Sequence, residues 1–478
     1  MPEQSPMTEQ NAPAAARSGP AAGEIPMSEP IAAIATGAQV AAIGILRLSG
    51  AGVIQIAGRL FAPARGGSLT QQPDRYLVYG RLCRRDGSLL DLCLATVSRG
   101  PHSYTGEDTV ELQCHGSPLL LRTALEELFA LGVRQAGPGE FTKRAFLNGR
   151  MDLSAAEAVA DLIDSESDEA LRNAAGQLSG AIHRRATELG EDLAAICAHY
   201  HAVLDWPDED IPDFALRDYR ARLARAREEL RRLLHSFERG RLLNSGIPTA
   251  IVGRPNAGKS SLLNALLGYE RAIVTAVPGT TRDTIEERAR LGGICLRLID
   301  TAGIRDTDDA VERLGVERSR RALEQAELVI AVVDGSAPLT DEDRAILRAA
   351  AEAPRALVVR SKRDLDQRDL PLETPLPVVP VSAVTGEGLD ALEAQIQALF
   401  PLPEAPAGEI LTNARQRDAV ARAVEALDAA LSALDLGMAP DAVLTEVEAA
   451  MAALGELTGR SVREDVAEQI FRRFCVGK

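Results

Sequence analysis

Residues 253–260 read Gly253-Arg254-Pro255-Asn256-Ala257-Gly258-Lys259-Ser260, a complete G-x-x-x-x-G-K-S phosphate loop. The two glycines let backbone N–H groups curl around phosphate oxygens. Lys259 reaches the β- and γ-phosphates, and the Ser260 hydroxyl is placed to ligate Mg²⁺. An apolar run, TAIVG (249–253), precedes the loop, and SSLLNALL (260–267) follows it. That order predicts a strand, a turn, and a helix whose positive end faces the anion. Asn256, Ala257, Gly258, Lys259, Ser260 and Ser261 are the candidate phosphate-binding residues.

Working outward, the runs ICLRLID (294–300), ELVIAVVD (327–334), RALVVR (355–360) and PVVPVS (377–382) each end where polar residues begin. This rhythm predicts a doubly wound α/β region over about 247–400, with its ligand site at the carboxyl ends of the strands. Three strand-end segments come in the order a GTPase needs. Asp300-Thr301-Ala302-Gly303 puts a carboxylate near Mg²⁺ and a glycine beside the γ-phosphate. Ser361-Lys362-Arg363-Asp364 brings Asp364 to guanine, whose N1–H and amino group offer two donors that adenine cannot supply. Ser382-Ala383-Val384 closes over the base. Serine replaces asparagine in the usual N-K-x-D motif; it still hydrogen-bonds but reaches less far. Selectivity resting on Asp364 is therefore expected to survive, at some loss of affinity. Between the loop and Asp300, Thr280 and Thr281 lie in a switch segment, Thr281 being the natural second Mg²⁺ ligand. Ile304 stands where a Ras-like enzyme has its water-orienting glutamine, so hydrolysis needs another source of charge and another residue to place water.

Helical sequence flanks this middle. Ser154 and Glu157 form an S-x-x-E pattern that predicts a capping box ahead of one long helical stretch. A second helix is expected over about 216–240, and a third from Asn413 to a stop at Gly437. The second is rich in arginine (Arg217, Arg220, Arg222, Arg225, Arg227, Arg231, Arg232), but interleaved Asp218, Glu228 and Glu229 favour a solvated, salt-bridged face over a nucleic-acid-binding one. Upstream, YLVYGRL, LLDLCLATV and TVELQC read as strands and LLLRTALEELFAL as a helix, giving a small α+β domain that ends near residue 150.

Composition bounds the function. The 478 residues suggest about three domains. An acidic excess of 69 over 53 excludes a uniformly basic nucleic-acid binder, and 3% aromatic residues argue against an extensive base-stacking platform. No apolar run is long enough for a membrane span. Six scattered cysteines without a C-x-x-C pair fit a reducing, cytoplasmic setting, and Cys114-His115 alone offers too few ligands for a metal. Residues 1–30, rich in proline and alanine and without aromatics, read as a disordered acidic tail rather than a signal peptide.

The phosphate loop, TTRD (280–283), DTAGIRDTDDAVERLG (300–315), SYTGEDTVELQCHGSP (103–118), PGEFTKRAFLNGRMDLSAAEAVADLIDS (138–165) and the terminal FCVGK together closely resemble the MnmE (TrmE) family of bacterial tRNA modification GTPases. The resemblance implies a folate-binding and dimerising domain over 31–149, a helical domain split into 150–245 and 403–478, and an inserted Ras-like G domain over 246–402. It implies a homodimer that works with the FAD-dependent partner MnmG on the wobble uridine of tRNA. There it adds aminomethyl or carboxymethylaminomethyl groups at C5, with a one-carbon unit from a 5-formyl- or methylene-tetrahydrofolate cofactor. It also fills the catalytic gap. K⁺ takes the place of an arginine finger, held by Asn256, Thr275, Val277 and Thr280, and Glu312 orients the attacking water. The implied folate-site residues are Arg47, Glu111, Arg150 and Lys478. Cys475 is given no catalytic role. Two rivals remain at this point. An Era- or Der-like ribosome-assembly GTPase would need no modification chemistry, but the chain shows no second phosphate loop and no KH-type G-x-x-G module. A folate enzyme with a vestigial G domain conflicts with the intact Lys259, Ser260, Thr281 and Asp300.

Overall fold

The computed structural model describes residues 28–37, 39–205, 216–269, 287–291, 294–299, 325–365, 373–400, 406, 408–460, 470–472 and 474–477. The chain divides into two compact units, residues 1–156 with 458–478, and residues 157–457.

The first unit is built on a seven-stranded sheet ordered β3-β4-β5-β6-β2-β1-β7. Its strands are β1 Ile31–Ile34, β2 Ala41–Ser49, β3 Phe61–Pro63, β4 Val78–Cys83, β5 Leu89–Ser98, β6 Thr109–Gly116 and β7 Arg134–Gln135. Neighbours are antiparallel except β1 and β7. Alternation along β5 turns Cys93, Ala95 and Val97 inward. Helices α1 Val53–Ala57, α2 Pro118–Phe129 and α3 Glu140–Leu147 complete the unit, α2 burying Leu121, Leu125 and Leu128 on the sheet. The chain's end returns to this unit, with Val476 bridging Pro138 and Phe471 stacking near Phe146 and Phe474. Gly477 has φ +102, and a Cβ there would lie 2.4 Å from the Ile34 carbonyl oxygen, so only glycine fits. Residues 28–30, assigned to the tail by sequence, are instead tied down. The Ser28 and Pro30 carbonyls accept from Ala51 N and Arg134 N, and Glu29 pairs with Arg134.

The second unit carries a six-stranded sheet ordered β13-β12-β11-β8-β10-β9. Its strands are β8 Ile247–Val252, β9 Glu287–Leu291, β10 Ile294–Leu298, β11 Leu328–Asp334, β12 Ala356–Ser361 and β13 Val378–Pro380. All pairings are parallel except the edge pair β9–β10. Central strands β8 and β11 are buried along their whole length, which is why they read as unbroken apolar runs. Helices α8 Lys259–Tyr269, α9 Asp341–Ala351 and α10 Leu389–Leu399 accompany this sheet.

Helices precede and follow that sheet in the chain: α4 Leu153–Asp164, α5 Asp168–Leu178, α6 Ala181–Asp205, α7 Leu216–Ser245, α11 Ala414–Asp435 and α12 Pro440–Thr458. Leu193, Leu223, Leu230, Val420, Leu427 and Leu454 share the core of α6, α7, α11 and α12. The expected single long helix after 154 is three, because Ser167 caps α5 through Ala170 N and Gly180, at φ +83, separates α5 from α6. The capping box is also corrected. Asp152 caps α4, its Oδ1 accepting from Ala155 N at 3.0 Å. Glu157 is buried and takes a bidentate pair from Arg415 at 2.7 Å and 2.7 Å, plus Gln416 Nε2 at 2.9 Å. The tie joins helices more than 250 residues apart in the chain. Buried Asn173 does the same for the returning segment, bonding Gly408 and Ile410. Among the described residues, no helix is long and apolar enough to cross a membrane.

Candidate nucleotide and folate sites

Strand β8 ends at Val252 and α8 starts at Lys259, so the phosphate loop lies where sequence placed it. Asn256 (φ +62) and Gly258 (φ +102) alternate with neighbours that are not at positive φ, which curls the loop into an anion cradle. A Cβ on Gly258 would come within 3.2 Å of the Ser361 side chain. Lys259 Nζ donates to the Gly253 and Arg254 carbonyls at 2.7 Å and 2.9 Å, so the ammonium is held over the cradle. Burial lowers its pKa, against a weaker upward pull from Glu342. A half-buried ammonium held by carbonyl oxygens fits a phosphate.

The base-side segments converge on the same loop. Ser361, 5% exposed, ends β12 and donates from Oγ to the Ala257 carbonyl at 2.6 Å, with the Val333 carbonyl 3.1 Å away. The short serine therefore ties the base segment directly to the phosphate loop. Asp364 Oδ1 accepts from Ser382 Oγ at 2.7 Å, and Thr385 N donates to that same hydroxyl at 3.2 Å. Gly258, Lys362, Asp364, Leu365, Ala383 and Val384 line a cavity of about 200 Å³. One carboxylate edge and apolar walls suit a purine with donors on one side.

Sequence reading gave no role to Asp334, the last residue of β11. Its Oδ2 takes Lys362 Nζ at 2.6 Å, and its Oδ1 takes Ser336 N and Oγ at 2.9 Å and 2.7 Å. Burial alone would raise this carboxyl, but Lys362 and Ser336 outweigh it and hold it below the usual carboxylate range. The signal was a lone aspartate ending an apolar strand. Thr275, Val277, Thr280, Thr281, Asp300, Thr301, Ala302, Gly303, Glu312 and Lys478 lie outside the described residues.

In the first unit, Arg47 on β2 sits opposite Glu111 on β6 and donates from Nε to Glu111 Oε1 at 2.9 Å. Its guanidinium lies 5.5 Å from the Tyr104 ring centre and 5.8 Å from that of Phe141, and Nη1 reaches the Gly477 carbonyl at 3.5 Å. Arg150 Nε donates to the Ser103 carbonyl at 3.0 Å, fixing the segment that carries Tyr104. Tyr104 and the terminal backbone were not found by sequence reasoning.

Two other sequence features take defined places in the fold. Cys114 is buried beside Cys93 and Asp91, while His115 is exposed with Nδ1 2.7 Å from Asp91 Oδ1. Contact with Cys93 and burial both raise the Cys114 thiol pKa. On α7, Arg220 pairs with Asp435, Arg222 with Asp192, Arg225 with Glu229, and Arg227 and Arg231 with Asp428. Of the interleaved carboxylates, Glu229 alone appears among these pairs; the others tie α7 to Asp192 of α6 and to Asp428 and Asp435 of α11, so the arginines are salt-bridged between helices.

A family model of the MnmE helical domain matches residues 153–475, and one of the GTP-binding protein TrmE N-terminus matches residues 30–150. The chain is 46% identical over 455 residues to the tRNA modification GTPase MnmE of Symbiobacterium thermophilum, covering 94% of this chain and 99% of that one. The chain belongs to the MnmE family of tRNA modification GTPases. Its MnmE relative from Roseiflexus sp. is 43% identical over 462 residues, 94% of this chain and 99% of that one. The MnmE of Heliobacterium modesticaldum is 41% identical over 465 residues, 95% and 100% of the two chains. Among solved structures, Aquifex aeolicus Era bound to GDP·AlF4⁻ is 28% identical and covers 37% of this chain and 65% of its own, with a TM-score of 0.25, too low to bear on fold or activity.

Proposed function

We propose that this MnmE-family chain is a K⁺-activated, homodimeric, cytoplasmic GTPase. With an FAD-dependent MnmG partner it adds aminomethyl or carboxymethylaminomethyl groups at C5 of the tRNA wobble uridine. The observation that carries the proposal is the convergence of Gly258, Ser361, Lys362 and Asp364 on one cavity beside the Lys259 loop, in a chain that matches a named tRNA modification GTPase over 94% of its length. Lys259 holds the phosphates and Asp364 reads the guanine edge. Ser260 and Thr281 are the proposed Mg²⁺ ligands, and Asp300 and Gly303 stand at the γ-phosphate. Asn256, on the exposed rim of the loop, supplies one K⁺ ligand, with Thr275, Val277 and Thr280 the others. K⁺ supplies the positive charge that stabilises the transferring phosphoryl, and Glu312 orients water.

The Arg47–Glu111 pair suits a tetrahydrofolate donor. Glu111 is an acceptor for pterin N–H groups, the Tyr104 ring offers a stacking face, and Arg150 and Lys478 supply cations for the glutamate tail. Ile43, Tyr79 and Leu92 are large apolar side chains left exposed on β2, β4 and β5, which supports pairing of two copies through this unit. The domain division is that of 31–149, 150–245 with 403–478, and 246–402.

The test is GTP turnover in matched K⁺ and Na⁺ salts. K⁺ should accelerate hydrolysis, and Na⁺, too small for the same oxygen cage, should not; equal rates would remove K⁺ from the mechanism. Glu312→Ala should leave nucleotide binding intact and slow turnover by about 10²-fold.

A further inference from the structure

Asp334 stands at the junction of the two halves of the nucleotide site without touching the cavity that the base would fill. Lys362 reaches it from the base segment, Nζ to Oδ2 at 2.6 Å. Arg254 reaches the same oxygen from the phosphate loop, Nη2 to Oδ2 at 3.7 Å. Arg254 Nε also lies 3.2 Å from Asp343 Oδ2, an ion pair without a hydrogen bond. Asp343 is 1% exposed and closes the capping box of α9 with Thr340. Ser336 occupies the other Asp334 oxygen, so the carboxylate cannot swing away.

We propose that Asp334 is a positioning residue for guanine-nucleotide binding: it fixes Lys362 and Arg254 together, so that the base segment and the phosphate loop are set for one nucleotide before it arrives. The proposal rests on the GTPase reading of this site. Lys362 has φ +59, a backbone turn that directs its side chain along the cavity wall. A lysine stem has four rotatable bonds, and an ion pair at its end restricts them before the nucleotide arrives. With its ammonium pinned, the stem offers a fixed wall to the base, and the ordering cost is not taken from nucleotide affinity. Arg254 lies between two carboxylates, in ion-pair contact with both and hydrogen-bonded to neither, so its charge holds the first turn of the phosphate loop beside Asp334. This scaffold is independent of the Ser361–Ala257 hydrogen bond, so the shorter serine is not the only tie between the two segments.

The test is steady-state GTP hydrolysis by the full chain carrying Asp334→Asn. The expected result is a rise in KM for GTP of about 10-fold, with kcat within about 3-fold of wild type. Adding Lys362→Met should cost the Asp334→Asn chain less than it costs wild type, because the two side chains act as a pair. Unchanged KM in Asp334→Asn, or fully additive losses, would overturn the proposal. A matched pair of substitutions covers failure of Asp334→Asn to fold, since both leave the buried carboxylate in place. Lys362→Arg, which keeps a cation facing Asp334, should raise KM several-fold less than Lys362→Met does. Equal KM for those two variants would also overturn it. A wild-type chain that turns over no GTP would overturn the underlying reading as well, which distinguishes the two failures.

Discussion

The nucleotide site and the Arg47–Glu111 site are made by opposite routes. In the first, the phosphate cradle is closed by residues six apart in the chain, Lys259 Nζ on the Gly253 carbonyl. In the second, Arg47 meets Glu111 across 64 residues and Gly477 across 430. A cradle built from one turn needs particular residues at particular spacing, so it leaves a written motif. A cluster built between strands and a returning terminus needs only that each residue be carried there by the sheet register. The difference teaches where spacing can be trusted and where the fold must be known.

The comparison makes the two sites independent, and the sharpest way to break it is to disable one and read the other. Lys259→Ala removes the side-chain ammonium held over the phosphate cradle and should cut kcat/KM for GTP by about 10³-fold. Equilibrium binding of 5-formyl-tetrahydrofolate to the same variant should stay within about 2-fold of wild type. A parallel loss of folate binding would show that the sites are coupled. The converse experiment has the next largest effect. Glu111→Gln removes a charged acceptor and should weaken 5-formyl-tetrahydrofolate binding by about 10- to 100-fold, read by calorimetry, with GTP turnover unchanged.

Acid sharpens the comparison by a smaller amount, because Glu140 in the first unit and Asp161 in the second titrate in opposite senses. Burial pushes Glu140 up, but Arg134, the Gly137 N–H and Arg144 outweigh it and hold its pKa at about 2, against an ordinary 4.5. Its folded value is depressed, so it stabilises the first unit above about pH 4.5, and that stability is lost as pH falls toward 2. In the second unit, burial raises Asp161 despite its hydrogen bond from Thr412, so protonation there favours the folded state as pH falls. Urea unfolding between pH 5 and 3, within the limits set by those shifts, should show the midpoint falling with acid less steeply in Glu140→Gln than in wild type. Identical slopes would remove Glu140 from the acid response.

Legibility in the sequence follows the same division. Buried parallel strands such as LVIAVVD and the phosphate loop were plain because their patterns are local. Ser154 misled because S-x-x-E describes a cap only when the serine precedes the helix. Asp152 had already capped it, and Glu157 was free to pair with Arg415, a partner 258 residues away that no spacing rule reaches. Edge strand β9, ERARL, was missed because only Ala289 and Leu291 face inward and its charges outnumber its apolar residues. Asp334 was quoted as the end of a strand and given no function, since its partners Lys362 and Arg254 meet it only after the sheet forms. Ser361 looked like a weakened asparagine. The structure shows that its hydroxyl still reaches the phosphate loop because Gly258 leaves room beside it.

The most direct test of tRNA modification by this chain is nucleoside mass spectrometry on bulk tRNA from cells lacking the gene, with and without the gene restored. The account predicts loss of the C5-modified wobble uridines on deletion, rescue by the wild-type chain, and no rescue by Lys259→Ala. An unchanged nucleoside profile in the deletion strain would contradict it.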